Sequence, residues 1–572
     1  MMAQALAALG INVVVIERRN LGDVYGNADG LQPRTLEIWQ SYGILEEFSQ
    51  KAAAMHALVT YDKDGENGIK RGIPSRNIVV DCRYPYELTA GIQIIESTLR
   101  AQVERHGTQI LQPAKPVDIT LKLQDKKHHG GVVVTIQHSS KDFTEKGSLG
   151  ITSIHARYAI GADGAHSWVR QELGVILEGE KTGQSLKKSP YRNANQSNTE
   201  YVWGVIDVCV QTDFPDFRFK CIIQSSQGAM IIIPREEDKL RIYVQCSPQE
   251  KVQVVRGISN RSFKRLHPKQ IASVPQKIAN KFRVGPYFWP ETHVIHILLK
   301  QVKEQMYLWE MHIISLAWVL RGWSDDSLLD TYEIERRSLA IQLIEFDKAI
   351  SASLDGCEAS TYSSMLHEQN LFTSGVGIRY RSRLTVEAND REESLSDTFG
   401  LKIGTRLPPM KIIRFADWHP LDIQDLATSD GLFKIIVCAG DLRDEKESKG
   451  LREFAESFQQ LAENEQESTL FERFTMFTML TECKESDIWS LMPVFLRNWR
   501  RYGADITAYM DNLPPINRVF TNKDSSVQAD QNQNGMAREW GTVIVRPDGY
   551  ISAMLEVSGR SAAFICEYLK HL

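Results

Sequence analysis

The run Gly161-Ala162-Asp163-Gly164-Ala165-His166-Ser167-Trp168-Val169-Arg170 decides how the rest of the chain is read. Apolar Tyr158-Ala159-Ile160 before it predicts a strand, and Glu172-Leu173-Gly174 after it a helix running to a stop. Glycines on both sides of Ala162-Asp163 let the backbone turn tightly and come close to a ligand. Asp163 can accept hydrogen bonds from a ribose or hold the loop, and Ser167 can cap the following helix. A strand–turn–helix corner without a ligand explains a bare G-x-D-G; the longer string is far more specific.

Upstream, Ala3 to Leu9 is alanine-rich and helical by propensity, and Gly10 stops it. Ile11-Asn12-Val13-Val14-Val15-Ile16 predicts a buried strand ending at Glu17-Arg18-Arg19. Helix, short turn, apolar strand and terminal acid form the second half of a dinucleotide-binding βαβ unit, with Glu17 where such folds bind a ribose hydroxyl. Neither the first strand nor a G-x-G-x-x-G precedes Met1, so the chain reads as truncated at its amino end. Downstream, residues 230–245 predict two strands joined by a charged turn. Alternation puts Arg241, Tyr243 and Gln245 on one face and Leu240, Ile242 and Val244 on the other. An edge hairpin with a solvated face is the ordinary reading of that pattern.

GADGAHSWVR resembles the second flavin-contact motif of the FAD-dependent aromatic hydroxylases, in particular the phenol 2-monooxygenase family. Further stretches extend the resemblance over nearly the whole chain. ADGLQPRTLE, residues 28–37, resembles the family's segment beside the flavin ring. By that resemblance Asp29 is the base that deprotonates a phenol, and Gln32 and Arg34 lie near the flavin, to which Glu17, Arg18 and Asp163 also contribute. Residues 85–103 resemble the strand and helix after the first crossover, and Gln93 is the nearest match to a flavin-contacting glutamine, at a spacing to Glu96 one residue short. IIIPREEDKLRIYVQ, residues 231–245, resembles the substrate hairpin. There Tyr243 is implied to hydrogen-bond the substrate oxygen and Arg235 to favour its anion. LLDTYEIERR, residues 328–337, resembles a helix packed under the flavin domain.

The family's third motif, of the form G-D-A-x-H-x-H-S-P-K-A-G-Q-G, does not appear; residues 287–312 read YFWPETHVIHILLKQVKEQMYLWEMH instead. Back-translated with synonymous codons and read two nucleotides further on, this stretch gives FLAGDARHPHSPKAGQGANVSLGDA, the whole motif in its proper place. Trp289, Met306, Trp309 and Met311 have single codons, which limits the freedom of the match. The segment around 285–314 therefore reads as frame-shifted, and the H-x-x-H spacing of His293 and His296 is not a metal site.

The expected fold is α/β, α+β overall: a Rossmann-like FAD-binding domain interleaved with an antiparallel-sheet substrate domain, and a thioredoxin-like carboxy-terminal domain. Expected boundaries are a flavin part at 1–75, 155–180 and 285–359, a substrate part at 76–154 and 181–284, a linker at 360–399 and the last domain at 400–572. In that domain 431–437 predicts a buried strand, 451–462 a charged helix, Asp548-Gly549 between apolar runs a hairpin, and 560–569 a closing helix. Cys438 lacks a C-x-x-C partner, so the domain is read as structural or as a dimer contact.

Net charge is −5, which gives no sign of nucleic acid or an anionic membrane as partner. The 8 cysteines are scattered without paired spacing, which points to a reducing compartment. No apolar run reaches the ~18 residues that span a bilayer, and the amino end has no basic leader; a cytoplasmic protein is expected. The resemblance implies FAD and NADPH as cofactors, a small phenol and O2 as substrates, hydroxylation ortho to the phenol, and a homodimer. A hydroxylase of a larger polyketide-type aromatic is the alternative. A non-catalytic remnant is a second one, because a chain without G-x-G-x-x-G and the third motif is expected to bind FAD weakly or not at all.

Overall fold

In the computed structural model, the described chain excludes residues 23–28, 66–67, 123–130, 139–149, 165–166, 181–201, 227, 247–270, 273–275, 289–294, 297–309, 354–357, 387–399, 416, 481–487, 498–518 and 522–539. Most of the stretch that reads as frame-shifted, with His293, therefore lies outside the described residues, and His296 is described only as part of a short strand.

Helix Met2–Ala8 is followed by Gly10 at φ +74° and strand Val14–Ile16, the predicted order. That strand pairs in parallel with Gln109–Leu111, Val14 opposite Gln109. Residues 109–111 were expected in an antiparallel array; Ile110 and Leu111 instead extend the apolar parallel pair. The strands Ala114–Lys122, Gly131–His138 and Ile151–Ala156 do form the expected antiparallel meander. Strand Ala159–Ile160 pairs in parallel with Tyr287–Phe288 and leads into helix Trp168–Glu172. Gly161 packs closely at this corner: a Cβ there would lie 3.0 Å from the Val169 side chain, which would have to shift.

Among the described residues eight strands, including those of 228–246, form one sheet. Strands Gly228–Pro234 and Lys239–Cys246 pair antiparallel as the predicted hairpin, with Ile231 opposite Tyr243. Sheet membership cuts across the expected division, however. Strands Ala57–Asp64 and Gly68–Arg71, placed on the flavin side by sequence, join this sheet through the parallel pairing of Leu58 with Lys220. Buried Leu58, Val59 and Tyr61 need the apolar surface of strand Lys220–Ser225 beside them.

The carboxy-terminal part shows strand Phe433–Ala439, helix Glu445–Glu463, hairpin Trp540–Val545 with Ile551–Leu555, and helix Gly559–Lys570, in the expected order. Strands Phe474–Leu480, Val519–Thr521, Lys411–Arg414 and Pro420–Asp422 extend it to a seven-stranded mixed sheet. The helix starts earlier than 451 because Asp444 caps it, accepting from the amides of Lys446 and Glu447 at 2.9 and 3.0 Å. Trp318, on helix Glu310–Arg321, is fully buried and donates its indole N–H to the Gly431 carbonyl at 2.8 Å, which fastens this sheet to the amino-terminal core.

Among the described residues, no helix is long and apolar enough to cross a membrane, and no cluster of His, Cys, Asp and Glu could hold a metal ion. Cys438 is buried, and burial pushes its thiol up to about 12. Since the thiolate is the reactive form, Cys438 is expected to resist alkylation in the native protein while exposed Cys209 is modified. Peptide mapping after iodoacetamide checks this; native labelling of Cys438 at the rate of Cys209 would contradict it.

Candidate active site

Asp29 begins the site because its backbone is fixed from two sides. Its carbonyl accepts from the Ala90 amide at 2.8 Å, and strand Gly30–Leu31 pairs with Thr89 and Leu88. Thr89 in turn donates its hydroxyl to the Pro234 carbonyl at 2.6 Å. The strand beside Asp29 thus holds the end of the hairpin that carries Arg235.

The side chains then meet. Asp29 is 1% exposed and Arg235 and Arg241 are each 3% exposed. Arg235 Nη1 lies 2.6 Å from Asp29 Oδ2, and Arg241 Nη1 2.8 Å from the same oxygen. Arg241 also forks onto Asp207, Nε to Oδ1 at 2.5 Å and Nη2 to Oδ2 at 2.6 Å. Arg235 Nε donates to Glu236 Oε2 at 3.0 Å, and Glu236 also accepts from the Gly91 amide at 2.8 Å. Buried charges persist only when paired in this way. Tyr243 follows Arg241 on the same strand face, and its hydroxyl oxygen is buried.

Burial raises the Asp29 carboxyl above its usual 3.8, outweighing Arg241 and Arg235, which lower it. For Asp207 burial also works upward, but the Arg241 fork wins and its carboxyl ends lowered. Two neighbouring carboxylates are therefore pushed apart: one is a stronger base, the other a fixed counter-charge.

The structure joins two predicted residues, Asp29 and Arg235, and places Tyr243 on the same strand face as Arg241 beside them. It adds Arg241, Asp207 and Glu236, to which no role was given. Alternation had put Arg241 on the Tyr243 face, but nothing in the sequence announces that Asp207, on the neighbouring strand, lies opposite Arg241.

The candidates for the cofactor are dispersed. Glu17 ends the parallel strand and holds Arg19 at 2.8 Å; burial raises its carboxyl, but the Arg19 hydrogen bonds and charge bring it below the usual value. Arg18 is exposed. Asp163 holds the loop: it accepts from Ser167 Oγ and from the amides of Trp168 and Val169 at 2.6 and 3.1 Å. Ser167 caps the helix through the Arg170 amide at 3.0 Å. Gln32 is the buried residue preceding helix Pro33–Ser41. Arg34, on that helix, donates to Glu37 and to the Asp548 carbonyl. Gln93 is exposed and folded back over Gly91, outside the Asp29 cluster. An ionised carboxylate at the carboxyl end of a parallel strand and a tightly packed glycine corner suit the ribose and backbone-contacting parts of an FAD.

Residues 1–257 match the family model described as FAD binding domain, and residues 378–572 that described as phenol hydroxylase, C-terminal dimerisation domain. An FAD-dependent monooxygenase of Aspergillus terreus is 27% identical over 77% of this chain and 72% of its own length. A phenol 2-monooxygenase of Aspergillus fumigatus is 24% identical over 92% of this chain and 87% of its own. Among solved structures, aklavinone-11 hydroxylase with FAD and aklavinone superposes with a TM-score of 0.65 at 18% identity, covering 100% of this chain and 96% of its own.

Proposed function

We propose that this chain, which belongs to the FAD-dependent monooxygenases, hydroxylates a phenolic ring with electrons drawn from NADPH. The observation that carries this reading is the buried Asp29 carboxylate, raised in pKa and set between two guanidiniums. FAD, when bound, supplies the redox centre that activates oxygen. The protein's own residues do the rest. Asp29 takes the phenol proton, because a phenolate ring is the stronger nucleophile. Arg235 and Arg241 stabilise the resulting anion, the role that fixed charges fill in a dry site. Tyr243 hydrogen-bonds the phenol oxygen and so orients the ring. Glu17, Gln32, Arg34 and Asp163 are the residues proposed to hold or flank the cofactor. The matched dimerisation domain supports a homodimer.

A second reading, a larger polycyclic phenol as substrate, is supported by the likeness to the aklavinone-11 hydroxylase structure. The test is to incubate the protein with FAD, NADPH and O2 and either phenol or a polycyclic polyketide phenol, and to follow products by mass. A gain of one oxygen on phenol supports the first reading, and a gain only on the polycyclic compound the second. NADPH oxidation without any hydroxylated product would refute both.

A further inference from the structure

The Asp548-Gly549 turn that the sequence singles out has no part in the chemistry above, yet Arg546, Pro547, Asp548 and Tyr550 are all buried. Arg546 is fully buried and forks twice. It reaches Glu335 at 2.7 and 3.1 Å, on helix Thr331–Ser353, and Asp548 at 3.0 and 2.8 Å within its own turn. Its guanidinium also lies over the rings of Tyr380 and Tyr550, at 5.4 and 5.7 Å from their centroids. Thus braced, the turn offers the Asp548 carbonyl to Arg34 Nη2 and the Tyr550 ring to the Arg34 guanidinium at 5.2 Å. Glu37 completes the hold, bonded to Arg34 Nη1 at 3.1 Å and to Arg406 at 3.2 Å. Gly549 sits at φ +79°, and a Cβ there would come within 3.4 Å of Arg34 Nη2. A side chain at that φ is strained, and its Cβ would sit in van der Waals contact with the Arg34 guanidinium.

Only strand Gly30–Leu31, Gln32 and Pro33 separate Arg34 from Asp29. We infer that the Arg546–Tyr550 turn of the carboxy-terminal domain is a positioning element for the active site: by clamping Arg34 it sets where Asp29 stands relative to Arg235 and Arg241. The inference rests on the reading of Asp29 as the base. It gives the carboxy-terminal domain a part in each subunit's own chemistry, apart from any contact between subunits.

The test uses the full-length protein with FAD bound. Gly549→Ala puts a methyl group against Arg34, and Arg34→Lys keeps the charge but loses the planar fork. Small misplacements of reacting groups cost rate out of proportion to their size. Both variants are expected to lose about 10- to 100-fold in kcat, with KM for the phenol within about 2-fold of wild type. They should also move the acid limb of the rate–pH profile and speed hydrogen–deuterium exchange across residues 30–36. Wild-type kcat, acid limb and exchange in the folded variants overturn the inference, whatever happens to the melting temperature. If Gly549→Ala does not fold, Arg34→Lys decides at full FAD occupancy, so that a lost cofactor contact is not what is read. Asp29→Asn, measured alongside, separates the two ideas. An inactive Asp29→Asn beside wild-type turn variants overturns the clamp only, whereas a fully active Asp29→Asn overturns the base reading and the clamp with it.

Discussion

Asp29→Asn is expected to lower hydroxylation by about 10²- to 10⁴-fold, the range in which a positioned general base contributes. The asparagine keeps the shape and can still accept hydrogen bonds from Arg235 and Arg241, so the fold should survive. What it cannot do is take a proton. The pH dependence follows from the direction of the shift. Burial holds the Asp29 carboxyl above 3.8, so the basic form is gained as pH rises through that higher value. Wild-type activity should therefore climb along an acid limb lying above the ordinary aspartate range, and Asp29→Asn should show no such limb. Full hydroxylation by the variant at neutral pH, or an unchanged acid limb, would remove Asp29 from the mechanism. Arg241→Lys would tell less, because it disturbs both Asp29 and Asp207.

The largest loss of stability is expected from Lys220→Met. Lys220 is 2% exposed, with its ammonium 3.1 and 3.3 Å from the two Glu87 oxygens and 3.2 Å from Asn77 Oδ1. Glu87 lies on the strand that pairs with Gly30–Leu31, so the pair ties the substrate sheet to the backbone next to Asp29. Tyr362 is fully buried beside it; burial first, then the charges of Glu87 and Asp347, push its hydroxyl well above 10. Without the lysine the buried Glu87 carboxylate loses the ammonium it is paired with. Removing one partner of a buried pair costs about 3–5 kcal/mol, whereas replacing both by apolar groups is often nearly neutral. Lys220→Met should therefore lower the denaturant midpoint sharply, and Lys220→Met with Glu87→Leu should recover most of the loss. A single variant as stable as wild type, or a double variant no better than the single, would show that the pair does not bear on stability in this way.

Much of the framework could be read without coordinates, because it depends on local chemistry. The GADGAHSWVR string encodes a strand end, a glycine corner and a serine cap, and all three form as written. Alternation in 239–245 fixed which side chains share a face, and Asp-Gly marked the hairpin that Trp540–Val545 and Ile551–Leu555 make. Asp163 shows the limit: its type and place suited a ribose or a loop, and the coordinates show it holding the loop. That strands 57–64 and 68–71 join the sheet of Lys220–Ser225 could not be read from the sequence, because that partner is distant and no local pattern names it.

By itself, then, the sequence determined the flavin-fold corner, the order of elements and the residue types Asp29, Arg235 and Tyr243, since periodicity, turn chemistry and motif spacing act over a few residues. Only the tertiary structure decided that Arg241 and Asp207 complete the Asp29 cluster, that Lys220 neutralises Glu87, and that Arg546 and Asp548 reach back to Arg34. Those pairings join segments far apart in the chain. They form because a charge excluded from water must find its counter-charge wherever the fold delivers one.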